Sequence, residues 1–175
     1  EYVKIVSDKA ASATDDAPMD EEPASRREAA LLYTSGTTGQ PKGCQLDQVY
    51  FLAAGDWYAG LSAPFDLRPG LEVMLTPLPM FHMNAMAYSF MAMVRVGGCL
   101  IALDRFHPDT WWADVSQSRA TSLHYLGVMP TLLMSIKPCL EEKLHSVRFG
   151  FGAGIDPKLH RAFEKRFGIP LVEAW

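Results

Sequence analysis

The chain has 175 residues, 49% hydrophobic and 21% charged, a balance that suits one globular domain with a real core. Its formal net charge of −4 argues against a nucleic-acid surface. No apolar run approaches the roughly 18 residues of a membrane helix, and the N-terminus lacks a signal-peptide pattern.

Residues 1–6 read as the end of a strand that begins earlier in the domain. Residues 7–28, SDKAASATDDAPMDEEPASRRE, hold almost no large apolar side chain. Such a segment cannot bury enough surface to offset its ordering entropy, and it reads as a flexible linker. An α/β core is expected over 29–175. Ala29–Thr34 is a short apolar strand entering the glycine-rich loop of residues 34–43. Asp47 suits the N-cap of a helix over about 48–61. Val73–Thr76 is a strand ending in Pro77-Leu78-Pro79. Ala85–Val96 reads as a Met-rich helix stopped by Gly97-Gly98, before a strand Cys99–Leu103. Pro108 sits where a helix could begin, with Trp111, Trp112 and Val115 on one side. Strand 121–126, a short helix from Pro130, strand 147–151, helix 157–167 with Gly168 as its cap, and strand 169–175 follow. Short strands between helices argue for a mostly parallel sheet with helices on both faces. Both ends of the chain look cut, so a piece of a larger domain is expected. Cys44, Cys99 and Cys139 show no CxxC spacing and leave an odd thiol under any pairing, which fits a reduced, cytoplasmic protein.

The stretch LYTSGTTGQPKG, residues 32–43, is dense in groups that bind phosphate. Glycines let backbone N–H groups converge without a Cβ in the way, and converging N–H groups cradle anions. Thr34, Ser35, Thr37 and Thr38 add hydroxyl donors, and Lys42 adds a positive charge. The P-loop template fails: its second glycine would fall at Pro41, and Gly43 follows Lys42 where Ser or Thr is required. A GxGxxG dinucleotide pattern is also absent.

Tyr33-Thr34-Ser35-Gly36-Thr37-Thr38-Gly39-Gln40-Pro41-Lys42-Gly43 instead closely resembles the phosphate-binding signature of the adenylate-forming (AMP-binding) superfamily. The resemblance implies an α/β domain, part of the large N-terminal domain of such an enzyme, without the C-terminal lysine-bearing domain. It further implies that Thr34 to Lys42 form a mobile loop around the β- and γ-phosphates of ATP, with Mg²⁺ touching Thr34. Pro77-Leu78-Pro79-Met80-Phe81-His82 is similar to the family's second signature, whose histidine lies beside the carboxylate under attack. Lys42 and His82 are thus the expected catalytic residues. Gly152-Ala153-Gly154 resembles the Gly-Ala-Pro turn whose backbone lies against adenine. Gly154 stands where the family usually has proline, so a looser turn is expected. Trp175 would occupy the aromatic position that stacks on adenine.

Amino-acid-activating members usually carry an aspartate just after the second signature. Phe81–Tyr88 has no acidic residue, which disfavours an ammonium-bearing substrate. The acyl pocket would draw on Met86, Met91 and Met93 and on Tyr125–Thr131, although most of these methionines equally suit a core. Trp111–Val115 and Arg119–Thr121 look most like the branch of crotonobetaine/carnitine–CoA ligases. The resemblance implies activation of a carboxylic acid to its adenylate and transfer to coenzyme A. Its small-molecule partners would be the acid and coenzyme A, with neither nucleic acid nor a membrane span, and with self-association left open. A related enzyme with a carrier-protein acceptor, and a fragment that only binds nucleotide or a partner, remain as alternatives.

Overall fold

The computed structural model describes residues 3–6, 26–34 and 41–174. A six-stranded sheet runs in the order β1 (Val3–Val6), β5 (Cys99–Ala102), β4 (Val73–Thr76), β6 (Ser122–Leu126), β7 (Phe149–Ala153), β8 (Leu171–Glu173). All neighbours pair in parallel except β1, which lies antiparallel to β5 with Val3 opposite Ala102 and Val6 opposite Cys99. The expected mostly parallel sheet is therefore present. Most of the expected 7–28 linker lies outside the described residues. Its last residues are engaged: the Arg27 carbonyl accepts from the Gln48 N–H (3.2 Å), and Glu28 starts strand β2 (Glu28–Thr34).

Side-chain alternation sends each strand's residues to opposite faces. On one face Met74, Leu100, Phe149 and Phe151 pack with Tyr58 of α1 (Gln48–Ala59) and with Ala92 and Met93 of α2 (Met91–Val96). On the other, Leu75, Ile101, Leu123 and Tyr125 meet three further helices. These are α3 (Trp111–Ser118), α4 (Val128–Ser135) and α5 (Pro157–Phe167). The Phe-Gly-Phe-Gly of β7 belongs to this division. Its phenylalanines fill the first face, while its glycines leave room on the second. A Cβ on Gly150 would lie 2.6 Å from Leu171 Cδ2, and one on Gly152 would lie 2.8 Å from the Tyr125 ring.

Local signals explain the helix ends. The Asp47 carboxylate accepts from the Tyr50 N–H at 2.8 Å, capping α1. Asp156 caps α5 in the same way (Lys158 N–H, 2.9 Å), with Pro157 in the first turn and Gly168 at φ 75° after the last. Helix α4 begins at Val128, two residues before the expected Pro130 start. The expected Met-rich helix is present but not regular: Asn84–Phe90 is π-helical and runs directly into α2.

A second sheet was not anticipated as such. Strand β2 (Glu28–Thr34) pairs antiparallel with β3 (Lys42–Asp47), so that Lys42 begins a strand instead of lying within the loop. Its residues are mostly exposed and lack a strong apolar alternation, so the pattern alone carries little strand signal. Leu46 and Ala30 tie the hairpin to Phe51, Ala54 and Ala87, between α1 and the π-helical turn.

Candidate active site

The carboxyl ends of parallel strands are where open α/β sheets hold ligands. Four of the sequence segments singled out above lead from this edge. The segment Pro77–His82 follows β4, Gly127 follows β6, Gly154 follows β7 and Ala174 follows β8. The hairpin β2–β3 carries the fifth. Thr34 and Lys42 are paired across it, so the two ends of the glycine-rich loop are held together and Lys42 is exposed beside them. Ser35, Gly36, Thr37, Thr38, Gly39 and Gln40 lie outside the described residues, as does Trp175. Pro41 is exposed next to Lys42.

His82 is exposed at the end of a tight turn, its N–H donating to the Pro79 carbonyl at 2.9 Å. Its carbonyl accepts from the Met86 N–H (3.0 Å), and its Nδ1 accepts from the Asn84 N–H (3.4 Å), which fixes the ring at the entrance to the π-helical turn. Beneath it lies a second histidine that sequence reasoning did not single out. His124, on β6, is fully buried and its Nδ1 is hydrogen-bonded to the Ser89 hydroxyl. Burial, with the charge of His82 as a lesser cause, pushes His124 down to about 3, so the ring stays neutral at physiological pH. His124 Nε2, Ser122 Oγ and the Tyr58 hydroxyl are buried on the same side of the sheet without a hydrogen-bond partner.

The turn after β7 is tied down. Gly154 has φ 80°, a left-handed conformation closed to proline. Its N–H donates to Glu173 Oε2 at 2.8 Å, the Ile155 N–H donates to Oε1 at 3.4 Å, and the Tyr125 hydroxyl donates to Oε1 at 2.6 Å. One carboxylate at the end of β8 thus gathers donors from β6 and from the β7–α5 turn. Burial and the Glu173 carboxylate together push the Tyr125 phenol well above its usual range. The looser turn expected from a glycine at 154 is therefore replaced by a fixed one, because glycine supplies the N–H that proline lacks. Of the three turn residues, Gly152 and Ala153 are buried and Gly154 is exposed. The Gly152 carbonyl already accepts from the Ala174 N–H at 2.8 Å.

Beside this edge, a cleft of about 530 Å³ opens between α1 and the π-helical turn. It is lined by Tyr50, Ala53, Ala54, Trp57, Met83, Asn84, Tyr88 and Ala174. The expected acyl-pocket residues fall elsewhere. Met93 is buried in the core beneath α2, and Met86 and Met91 pack with Phe51 and Ala87. Tyr125, Met129 and Pro130 border a void of only about 10 Å³ on the opposite face of the sheet. The cleft brings together two helices and the end of β8, a juxtaposition with no local sequence signal. Among the described residues no cluster of three or more His, Cys, Asp or Glu could hold a metal ion. No described helix is long and apolar enough to cross a membrane.

The sequence profile of the AMP-binding enzyme family matches residues 2–175. The chain is 35% identical over 148 residues to a sulfoacetate–CoA ligase of Cupriavidus necator, covering 83% of this chain and 28% of that protein. It is 30% identical over 147 residues to a very long-chain fatty acid transport protein of Cochliobolus heterostrophus, covering 81% and 22% respectively. The chain therefore spans about a quarter of the length of these curated relatives. Among solved structures, the inhibitor-bound N-terminal domain of FACL13 from Mycobacterium tuberculosis superposes with a TM-score of 0.74 at 24% identity, covering 94% of this chain and 40% of that one. A malonyl-CoA ligase bound to methylmalonyl-CoA and AMP superposes with a TM-score of 0.73 at 23% identity, covering 94% and 35%. These two likenesses establish the fold.

Proposed function

The chain belongs to the AMP-binding enzyme family, and from that premise we propose that it forms the ATP- and acid-facing part of an acyl-CoA ligase. The observation that carries this reading is the signature Tyr33–Gly43 set on the β2–β3 hairpin, with exposed Lys42 paired opposite Thr34. In this reading Thr34, Ser35, Thr37, Thr38 and Lys42, with the backbone of Gly36, Gly39 and Gln40, hold the β- and γ-phosphates of ATP. The backbone at Gly152–Gly154 and the Trp175 ring face adenine. His82 orients the substrate carboxylate.

A carboxylate oxygen attacks the α-phosphorus, a P–O bond forms, and the bond to the departing pyrophosphate breaks. The thiolate of coenzyme A then attacks the acyl carbon and AMP leaves with the bonding pair, the thiol proton having passed to solvent. The first step depends mainly on positioning and charge neutralisation. Thr34 is the residue that would meet Mg²⁺. When bound, the cation would offset phosphate charge. Cys44, Cys99 and Cys139 form no disulfide among the described residues, which suits a reducing, cytoplasmic setting.

The test is pyrophosphate release by the full-length protein over a panel of acids, with and without coenzyme A. Release with thioester formation only on a carrier protein would move the acceptor away from coenzyme A. Lys42→Ala should slow adenylate formation by roughly a hundredfold while leaving adenylate-to-thioester transfer much less affected. Equal loss in both half-reactions would contradict the phosphate role. His82→Ala should lower the adenylation rate or acid affinity, and unchanged kinetics would leave His82 a structural residue.

A further inference from the structure

His82 is held by two contacts to the π-helical segment that follows it. The Asn84 N–H donates to its Nδ1 at 3.4 Å, and the Met86 N–H donates to its carbonyl at 3.0 Å. The placement of His82 is therefore only as firm as Asn84–Phe90. Local signals do little to make that segment firm. Met83, which precedes it, makes no capping bond with its side chain, and the first turn carries no acidic residue. Single π-helical turns are rare and occur frequently at functional sites. One without a local cap needs a tertiary anchor.

Ser89 supplies that anchor. Its hydroxyl is bonded to His124 Nδ1, where a helical serine would otherwise turn to its own backbone. Neither side chain has any solvent exposure, so water does not compete for the bond. A neutral imidazole offers one donor and one acceptor nitrogen, and a hydroxyl can meet either. His124 lies on β6, which is flanked by β4 and β7 inside the sheet, with Phe151 opposite it in register. Strand β4 leads into Pro77–His82 and pairs with β6 at Met74–Ser122 and Leu75–Leu123. A closed path thus runs from His82 along the π-helical segment to Ser89, across to His124, and back through β6 and β4.

We propose that His124 is a positioning residue for His82, acting through Ser89 and the π-helical segment. What His82 contributes to acid activation rests on the ligase reading above, whereas the anchor rests on the geometry of the segment itself.

The test uses the full-length protein with Ser89→Ala, which deletes the bond, and with His124→Asn and His124→Gln, which separate the two ring nitrogens. An asparagine amide reaches the place of Nδ1 and can meet the hydroxyl, whereas a glutamine amide reaches toward that of Nε2. Amide hydrogen exchange over residues 84–90, read by mass spectrometry, should quicken roughly five- to tenfold in Ser89→Ala and His124→Gln and stay near wild type in His124→Asn. Unchanged exchange, or an equal increase throughout β4 and β6, would overturn the anchor. In pyrophosphate release, Ser89→Ala should lower kcat/KM for the acid roughly tenfold, with the KM for ATP unchanged. In a His82→Ala background the same substitution should cause little further loss, because both act through one residue. A fully additive loss in that background, or a parallel rise in the KM for ATP, would overturn the positioning role. The two readings fail separately. A wild-type protein that releases no pyrophosphate with any acid sinks the ligase reading, while exchange over residues 84–90 still decides whether Ser89 and His124 hold the segment.

Discussion

Replacing Gly154 tests the fixed turn at the end of β7, and two substitutions separate its causes. Gly154→Ala keeps the N–H and meets open space, since the nearest atoms to its Cβ would be Gly127 N and Cα at 3.9 and 4.0 Å. The only cost is holding an L-residue at φ 80°, about 1–2 kcal/mol. Gly154→Pro cannot hold that φ at all and also deletes the donor that reaches Glu173 Oε2 at 2.8 Å. A hydrogen bond to a charged group contributes about 1.5–3 kcal/mol, and the lower end applies because Gly154 is exposed. The proline variant should therefore lose about 2.5–3.5 kcal/mol. With a urea dependence of about 2 kcal/mol per molar, the transition of the domain should fall by about 0.5–1 M for alanine and about 1.2–1.8 M for proline. The KM for ATP should rise in the same order, because the same backbone is proposed to face adenine. A proline variant as stable as the alanine one would refute the reasoning. It would mean that the turn readily takes a negative φ and that Glu173 does not hold it.

His124 gives a pH dependence with a defined sign. Its folded value of about 3 lies below the ordinary 6.5, so below pH 6.5 the unfolded chain takes up a proton that the native chain refuses. The stability from keeping this ring neutral is intact above pH 6.5 and is lost as pH falls toward 3, by about 1.4 kcal/mol per unit. Between pH 7 and pH 5 the wild-type protein should lose about 2 kcal/mol more than His124→Gln, read from urea midpoints; parallel pH profiles would show that the ring is protonated in the native state. Gly55→Ala should lower Tm through overpacking worth about 1–3 kcal/mol, since the new Cβ would lie 2.8 Å from Met91 Cβ. An unchanged Tm would mean that α1 and α2 are not packed so closely.

Much of the chain could be read locally. Asp156, Pro157 and Gly168 bound α5 by capping and backbone preference alone, and the observed helix has those limits. Gly97, at φ 64°, ends α2 for the same reason. The density of Gly, Ser, Thr and Lys in residues 34–43 pointed to a phosphate loop, and the resemblance of Tyr33–Gly43 to a known signature pointed to the family whose profile the chain matches, both without tertiary information. Strand β3 was less legible, because it is held by pairing with β2 and not by its own apolar pattern. What only the tertiary structure decided are the meetings between distant segments. The cleft joins Trp57, Tyr88 and Ala174, and one Glu173 carboxylate joins Tyr125 to Gly154. Hydrogen bonds and ring contacts of this kind act over a few ångströms. The sheet order that brings their partners within that range is set by packing across the whole domain, which no short stretch of sequence encodes.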